Sequence, residues 1–396
     1  MTTRNERISD RPGERASPAV EQVGGIWHLR GTMAVTAVLR ERDATTQAGF
    51  TAEVLAARMK EQPILFMDGE EHRRQRAKVA RYFAPKTVTT RYRDLMERRA
   101  EALVAEMADA GTSRLEQVTL RYSVEVAAQV IGLTNSPIRP MSRRLERFFD
   151  QPAFDLTKEG LGRSRFQQIE AVVSGNLPML VFFVRDVWPA IRARRKQRRQ
   201  DVISHLLDEG YSPMGILMEC VTYGAAGMVT TREFLSMATL HLLRNDALRR
   251  RYLAADEPER LAVLHEVLRL EPVVGHLYRR AQRDIEVVDG ETVHTIPAGA
   301  LIDLGIRAAN ADESVVGVEP LRVCPGRDLP RGIGDEVMSF GDGPHKCPGN
   351  ALAIQESDVF LQRLLRRDVQ IVAEPRLQWD ELISGYALRG FELAVR

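Results

Sequence analysis

Cysteine is scarce in this sequence, and long apolar runs are absent. The 396 residues include 3 cysteines, at positions 220, 324 and 347, in odd number and without paired spacing. This argues against a disulfide framework and favours a reducing compartment, so we expect a cytoplasmic protein. No segment reaches the roughly 18 consecutive apolar residues of a membrane span, and the polar N-terminus lacks the apolar core of a secretory signal. We therefore expect no membrane partner.

Charge of either sign is not in excess. The chain has 56 basic and 54 acidic residues, a net charge of +2, which argues against nucleic acid as a partner. A basic run at 191–199 is predicted to be a solvated helix face rather than a docking patch. The polar residues 1–24 are predicted to form a disordered leader, and residues 25–396 a single globular domain.

Apolar spacing predicts a mainly α protein. The longest apolar segment, 212–246, predicts a helix through the middle of the protein. Further helices are predicted within 33–43, 50–60, 72–83, 89–110, 123–133, 259–270 and 350–367. Short strands are predicted within 24–31, within 285–306 and at 370–374, with a hairpin near 383–395 and irregular chain over about 311–339.

One cysteine lies in an unusual frame, FGDGPHKCPG at residues 340–349. Cys347 precedes Pro348, a residue favoured in the first turn of a helix, so the helix dipole is expected to lower the pKa of its thiol. A nucleophilic or redox cysteine has no evident partner here, and one cysteine with His345 is an incomplete zinc ligand set. An axial thiolate ligand to haem fits best, because haem is flat, large and needs one such ligand.

The decapeptide resembles the haem-binding signature of the cytochrome P450 superfamily, F-G-x-G-x-H-x-C-x-G. Six positions match it: Phe340, Gly341, Gly343, His345, Cys347 and Gly349. Further matches follow in the expected order over residues 25–396. The resemblance implies that this span is one haem domain with the fold of the family, a helix-rich triangular prism with small β-sheets. It also implies haem b held by the Cys347 thiolate.

Other segments resemble the family's contacts to the two haem propionates. His72 and Arg76 match an H-x-x-x-R in its C helix, Arg279 matches the strand after its K helix, and His345 belongs to the signature. Buried propionates need cationic or hydrogen-bonding partners. The resemblance therefore implies that these four side chains bind the propionates.

A third group of matches implies a buried charge network. Glu266 and Arg269 resemble the E-x-x-R of the family's K helix. Arg327, in the segment PLRVCPGR, matches the arginine that joins them. Such a network would stabilise the core on the haem side, because buried charges require partners.

The central helix departs from the family pattern, A/G-G-x-D/E-T-T. The corresponding residues run from Ala226 to Thr231, with Val229 in place of the acid. The resemblance implies catalytic positions at Gly227, where the helix opens beside the oxygen site, at Val229, and at Thr230, whose hydroxyl faces that site. Because valine relays no proton, three explanations stay open: water or the substrate carries protons, Glu233 substitutes, or the enzyme does not depend on routine hydroxylation.

The resemblance implies a haem-thiolate monooxygenase or oxidase that activates O2. We expect it to oxidise an apolar, aromatic natural product in secondary metabolism, such as antibiotic biosynthesis. The predicted pocket walls are Leu65, Phe66, Ala226, Val229, Val274 and Tyr386. One alternative is oxidative C–C or C–N coupling of an aromatic substrate, such as a tryptophan-containing cyclic dipeptide, without oxygen insertion. An alternative from another class is a non-catalytic haem-binding sensor.

Electrons are expected from outside the chain, because it contains no flavin or iron–sulfur segment. The resemblance implies a ferredoxin and its NAD(P)H-dependent reductase as partners. The basic face predicted to meet the acidic ferredoxin consists of Arg73, Arg74, Lys78, Arg81 and Lys346.

Overall fold

Helices make up most of the part of the chain that the computed structural model describes, residues 6–49, 61–149, 177–380 and 384–396. The longer helices are α1 (Thr32–Arg40), α2 (Gly69–Phe83), α3 (Arg93–Ala110), α4 (Leu115–Ile131), α5 (Ile138–Phe149), α6 (Trp188–Lys196), α7 (Val202–Asp208), α8 (Pro213–Gly224), α9 (Thr230–Arg244), α10 (Asp246–Ala254), α11 (Glu257–Leu270) and α12 (Asn350–Leu365). A π turn, Ala225–Val229, joins α8 to α9.

The strands are short. They are β1 (Val20–Val23), β2 (Ile26–Leu29), β3 (Thr45–Ala48), β4 (Thr112–Arg114), β5 (His276–Ala281), β6 (Ile285–Asp289), β7 (Thr292–Ile296), β8 (Leu301–Gly305), β9 (Val369–Ala373), β10 (Arg376–Asp380), β11 (Gly385–Arg389) and β12 (Glu392–Val395). The largest sheet has the order β1-β2-β8-β5-β3, in which β2 and β8 run parallel. The other sheets are β4-β12-β9, β10-β11 and β6-β7.

Two apolar clusters form the core. The larger one packs around α9, on which most side chains are buried, together with α3, α4, α11 and α12. The smaller one lies between α1 and the largest sheet. The prediction of a mainly α fold with small sheets is confirmed, and the apolar segment predicted as a central helix is α8 and α9.

The N-terminal segment differs from the predicted disordered leader over residues 1–24. The Arg7 guanidinium donates to the carbonyls of Leu270 and Arg307, each over 2.8 Å. The Ser9 amide donates to the Glu271 carboxylate over 3.0 Å, and β1 pairs with β2. The charges of this segment suggested a solvated tail, but Arg7 and Glu14 meet partners on the body of the protein and are largely covered by it, whereas Asp10 and Arg15 stay exposed.

The predicted C-terminal hairpin near 383–395 is wrong. β11 pairs with β10, whereas β12 pairs with β4 and β9 in a different sheet. The short connection through Gly390, which has a φ of 72°, therefore changes sheets instead of reversing the chain within one. The helix predicted at 50–60 lies outside the described residues.

Candidate active site

The loop before α12 presents the sulfur of Cys347. The Cys347 amide donates to the Phe340 carbonyl over 2.8 Å, which closes the loop. Gly343 has a φ of 65°, and a Cβ there would lie 2.0 Å from the Leu39 carbonyl oxygen. Only glycine fits that position, so α1 and the cysteine loop are held at a fixed separation. Cys347 itself is half-buried.

The Cys347 thiol has a raised pKa, contrary to the expected effect of the helix dipole. Burial raises it, while the Gly349 amide and the charges of Arg76 and Lys346 lower it. Burial outweighs these contributions. A bound metal cation would favour the thiolate, because coordinating thiols are deprotonated.

The central helix opens where the resemblance predicts it. The π turn between α8 and α9 contains Ala226, Gly227 and Val229, and the Thr230 hydroxyl donates to the Ala226 carbonyl. Ala226 is exposed within a helix whose neighbours are largely buried. Such turns within helices often mark functional sites.

The neighbouring acid considered as a substitute, Glu233, has other partners. Its carboxylate lies 2.6 Å from Arg232 and 2.8 Å from Arg389, and it accepts the Leu388 amide over 2.8 Å. It is fully buried. These contacts make it a link between α9 and β11, and Val229 is buried beside Met228 without any acid of the helix replacing it.

A different acid, not identified from the sequence, reaches the central helix. Glu356 of α12 is buried, and one of its carboxyl oxygens has no hydrogen-bond partner among the described residues. Burial raises its pKa well above the usual range, and hydrogen bonding to Thr231 only partly opposes this. Glu356 is therefore a buried acid beside Thr231 whose surroundings favour the protonated form. Its place in an ordinary amphipathic helix gave no signal in the sequence.

The basic residues predicted to hold propionates lie near one another. The His72 and His345 rings stack with centroids 4.1 Å apart, and the Arg76 guanidinium donates to the Lys346 carbonyl. Arg76 lies close enough to both Cys347 and Tyr223 for electrostatic interaction, and burial lowers its pKa. This residue thus connects the cysteine loop with α8.

Arg279 is buried and has no carboxylate within hydrogen-bonding distance among the described residues. Its guanidinium donates to Gln47 over 2.7 Å and to the Tyr278 carbonyl over 2.8 Å. Burial lowers its pKa to about 10. A buried cation of this kind is costly without an anion, which is what a propionate would provide.

Two residues that the sequence did not single out orient this group. Gln47 on β3 binds Arg279, and Asp68 accepts from the His345 ring over 3.0 Å and from the Gln47 amide over 3.0 Å. Asp68 immediately precedes α2, and that helix-start position was its only signal. Burial lowers the pKa of His72 to about 3, so the stacked pair is held neutral or singly charged.

The predicted charge network is present in the structure as a set of contacts. Arg269 lies 2.6 Å from Glu266, and Arg327 lies 3.1 Å from the same carboxylate. Arg269 also donates to the carbonyls of Asn310 and Pro320, over 2.6 and 3.0 Å. The network thereby fixes the irregular chain after the largest sheet onto α11.

The predicted pocket walls do not all line open space. Leu65 and Phe66 are half-buried in a short turn before α2, and Val274 pairs with Gly385. Tyr386 differs from the prediction because it is fully buried and its hydroxyl donates to the Glu271 carbonyl over 3.2 Å. The Tyr386 hydroxyl is therefore hydrogen-bonded to the backbone.

These residues fit haem better than a protein-bound metal ion. Within the described residues, no group of three His, Cys, Asp or Glu side chains could hold a metal ion, which leaves the zinc alternative without support. A single thiol and a buried, anion-free Arg279 match the needs of a flat dianionic cofactor with one axial ligand. No described helix is long and apolar enough to cross a membrane.

Comparisons with known proteins agree with this assignment. The family model for cytochrome P450 matches residues 261–371. Cytochrome P450 130 of Mycobacterium tuberculosis is 29% identical over 329 residues, 80% of this chain and 74% of that protein. Erythromycin C-12 hydroxylase of Saccharopolyspora erythraea is 27% identical over 359 residues, 87% of this chain and 82% of that protein.

Solved structures that resemble this fold are also cytochrome P450 proteins. A solved structure of a mutant of P450 EryK in complex with erythromycin B has a TM-score of 0.76, covering 95% of this chain and 93% of that one, at 24% identity. Fold and comparisons together support haem with an axial cysteine thiolate as the cofactor. The chain resembles the cytochrome P450 superfamily in its family-model match, its curated relatives and its fold, and this resemblance supports an oxidoreductase of that kind.

Proposed function

We propose that this protein is a monooxygenase that inserts one oxygen atom of O2 into an apolar natural product. The observation that carries the proposal is the pairing of Cys347 with an opened central helix that bears the Thr230 hydroxyl, connected through Arg76. Bound haem supplies the redox chemistry that activates O2. The chain supplies orientation, a partly dry pocket and protons.

The proton source is Glu356 rather than a residue at position 229. It is a buried acid whose pKa burial raises well above the usual range, and its neighbour Thr231 directly follows Thr230 in the chain. A carboxylic acid kept neutral by burial can donate a proton where an ionised one cannot. Water entering beside Ala226 would complete the path to the Thr230 hydroxyl.

A natural product is the favoured substrate class. Erythromycin C-12 hydroxylase is among the proteins this chain resembles, and 20-oxo-5-O-mycaminosyltylactone 23-monooxygenase of Streptomyces fradiae is 34% identical over 44% of this chain. Leu65, Phe66 and Val274 are half-buried and apolar, as a pocket for an apolar substrate requires. Their chemistry also accepts an aromatic substrate, as the sequence predicts.

Oxidative coupling of an aromatic substrate is the second candidate, and Val229 favours it. A reaction that abstracts hydrogen without inserting oxygen has less need of an acid in the central helix. The test is a screen of natural products for those that displace axial water and change the haem spin state, followed by turnover under labelled dioxygen. Label in the product supports oxygen insertion, and a coupled, unlabelled product supports the alternative.

A ferredoxin with its NAD(P)H-dependent reductase is the proposed electron source. The predicted basic face carries less net positive charge than its basic residues alone would give. Arg73 lies 2.7 Å from Glu70, and Lys346 lies 3.3 Å from Glu336. Lys78 pairs with Glu209 as well. Charge reversal of Arg73 and Arg74 at low salt should slow electron transfer, and unchanged turnover would remove this face from the proposal.

A haem-binding sensor would bind the cofactor without turnover. Comparing substrate oxidation driven by ferredoxin, reductase and NADPH with that driven by hydrogen peroxide separates the possibilities. Product formed with either oxidant system excludes a non-catalytic sensor. Product formed with hydrogen peroxide but not with ferredoxin, reductase and NADPH excludes the ferredoxin as the electron source. The three free cysteines, one of them exposed, support the proposed cytoplasmic location.

A further inference from the structure

A cavity at the protein surface lies away from the cysteine loop. It has a volume of about 530 Å3 and is bounded by the end of α2, the chain leading into α3, and the segment from the end of α6 into α7. Its walls include Arg81, Arg91 and Arg199, which come from three different segments of the chain. Arg199 belongs to the basic run at 191–199, which the haem site does not use.

The cavity carries an excess of positive charge. Among the described residues, none of its three arginines pairs with a carboxylate: Arg81 donates to the Tyr82 hydroxyl over 2.8 Å, and Arg91 to the Gln200 side chain over 3.2 Å. The one carboxylate of the wall, Asp208, is taken by Arg198 at 2.7 Å. The cations are therefore not neutralised by the protein around them.

A buried polar atom in the wall also lacks a partner. His205 is 5% exposed, and its Nε2 has no hydrogen-bond partner within the described part of the chain. Its ring centroid lies 6.4 Å from that of Tyr82. Burial lowers the pKa of His205, the charges of Arg81 and Lys78 lower it further, and Glu209 and Asp208 oppose them. An anion in the cavity would raise the pKa of His205 by stabilising its protonated ring.

We propose that this cavity binds a small organic phosphate. Arginine forks bind phosphate oxygens in pairs, and three of them around one space suit a multiply charged anion better than a single carboxylate. The volume lies within the roughly 300–1,000 Å3 of small-molecule sites, so the ligand is larger than inorganic phosphate. The Ser204 hydroxyl, which accepts the Arg199 amide over 2.9 Å, keeps its own proton to donate.

Titration of the haem-loaded protein with pyrophosphate and with AMP tests this, at ionic strength held constant with NaCl. Arg91→Gln and Arg199→Gln should each weaken binding of both probes about tenfold, as expected for loss of one charge-assisted hydrogen bond. Lys196→Gln removes one charge from the same basic run but not from the cavity wall. This control should stay within about twofold of the wild-type affinity, because screening by salt reduces distant charge effects.

The His205 ring gives an independent readout. Its proton resonances, assigned with His205→Gln, should shift on addition of AMP, and its pKa should rise. Absence of binding at constant ionic strength overturns the site, and so does an equal loss in Lys196→Gln, since that would mean attraction to the whole basic run. Binding of pyrophosphate but not of AMP overturns the organic phosphate and leaves an inorganic anion site. Arg199→Lys should restore part of the affinity.

Discussion

Replacing Arg269 by methionine should destabilise the protein more than its single charge would suggest. The side chain is fully buried and contacts Glu266 at 2.6 and 2.8 Å. It also donates to the backbone carbonyls of Asn310, Pro320 and Arg322. Methionine fills the space but leaves the Glu266 carboxylate with only Arg327 and the Cys324 amide among the described residues, and three carbonyls without this donor. Breaking a buried pair in this way costs about 3–5 kcal/mol of unfolding free energy.

Arg251→Met is the matched control. Arg251 lies 2.8 Å from Glu259, but both side chains are nearly half exposed, at 47% and 44%. Such surface pairs contribute about 0–1 kcal/mol. Urea unfolding of the haem-loaded proteins, followed by far-ultraviolet circular dichroism and by haem absorbance, compares the two midpoints. Equal midpoints for Arg269→Met and Arg251→Met would refute the reasoning. The loss of stability would then not depend on whether the ion pair is buried.

Three further outcomes are expected. Cys347→Ser should abolish the red-shifted ferrous–carbonyl band of thiolate ligation, whereas Cys324→Ser, at an exposed position, should keep it. Glu356→Gln should slow product formation about 10²-fold, as for loss of a general acid, with an unchanged ferrous–carbonyl spectrum. Burial lowers the pKa of His276, but Asp303 and Glu14 overcome this and raise it to about 9. The stability this gives is complete below pH 6.5 and is lost as pH rises through about 9, so urea midpoints should fall over that range, less so in His276→Gln.

Each of these outcomes has a result that would contradict it. A thiolate spectrum retained in Cys347→Ser would remove this residue as the ligand. Wild-type product formation in Glu356→Gln would leave water or the substrate as the proton source. A urea midpoint in His276→Gln with the same pH dependence as the wild type would place the titration elsewhere.

The sequence predicted those parts of the fold that depend on local patterns. The central helix and α12 follow from apolar spacing, and the cysteine loop from glycines that permit a φ of 65° at Gly341 and Gly343. The hairpin near 383–395 failed because local turn signals do not say which strand a segment pairs with. β12 finds its partners in β4 and β9, and β4 lies more than two hundred residues earlier.

The site was predictable where residues belong to a motif and not where they act through distant contacts. The resemblance identified Cys347, Arg279 and Thr230, but Glu356 and Asp68 are single acids in ordinary helical surroundings. Burial gives Glu356 its raised pKa, and burial depends on the packing of α12 against α9. A sequence pattern cannot report such packing for one charged residue.

The docking of the N-terminal segment constrains the order in which the protein folds. Arg7 bonds to the Leu270 carbonyl, 263 positions away, and β2 pairs in parallel with β8. Arg7 and β2 therefore find these partners only after the chain has been synthesised as far as Leu270 and β8. Contacts so distant along the chain carry a loop-closure cost and slow folding. The largest sheet must therefore be among the last parts to assemble. Until then, its unpaired strand edges and α1 can aggregate with other chains and can be cleaved by proteases.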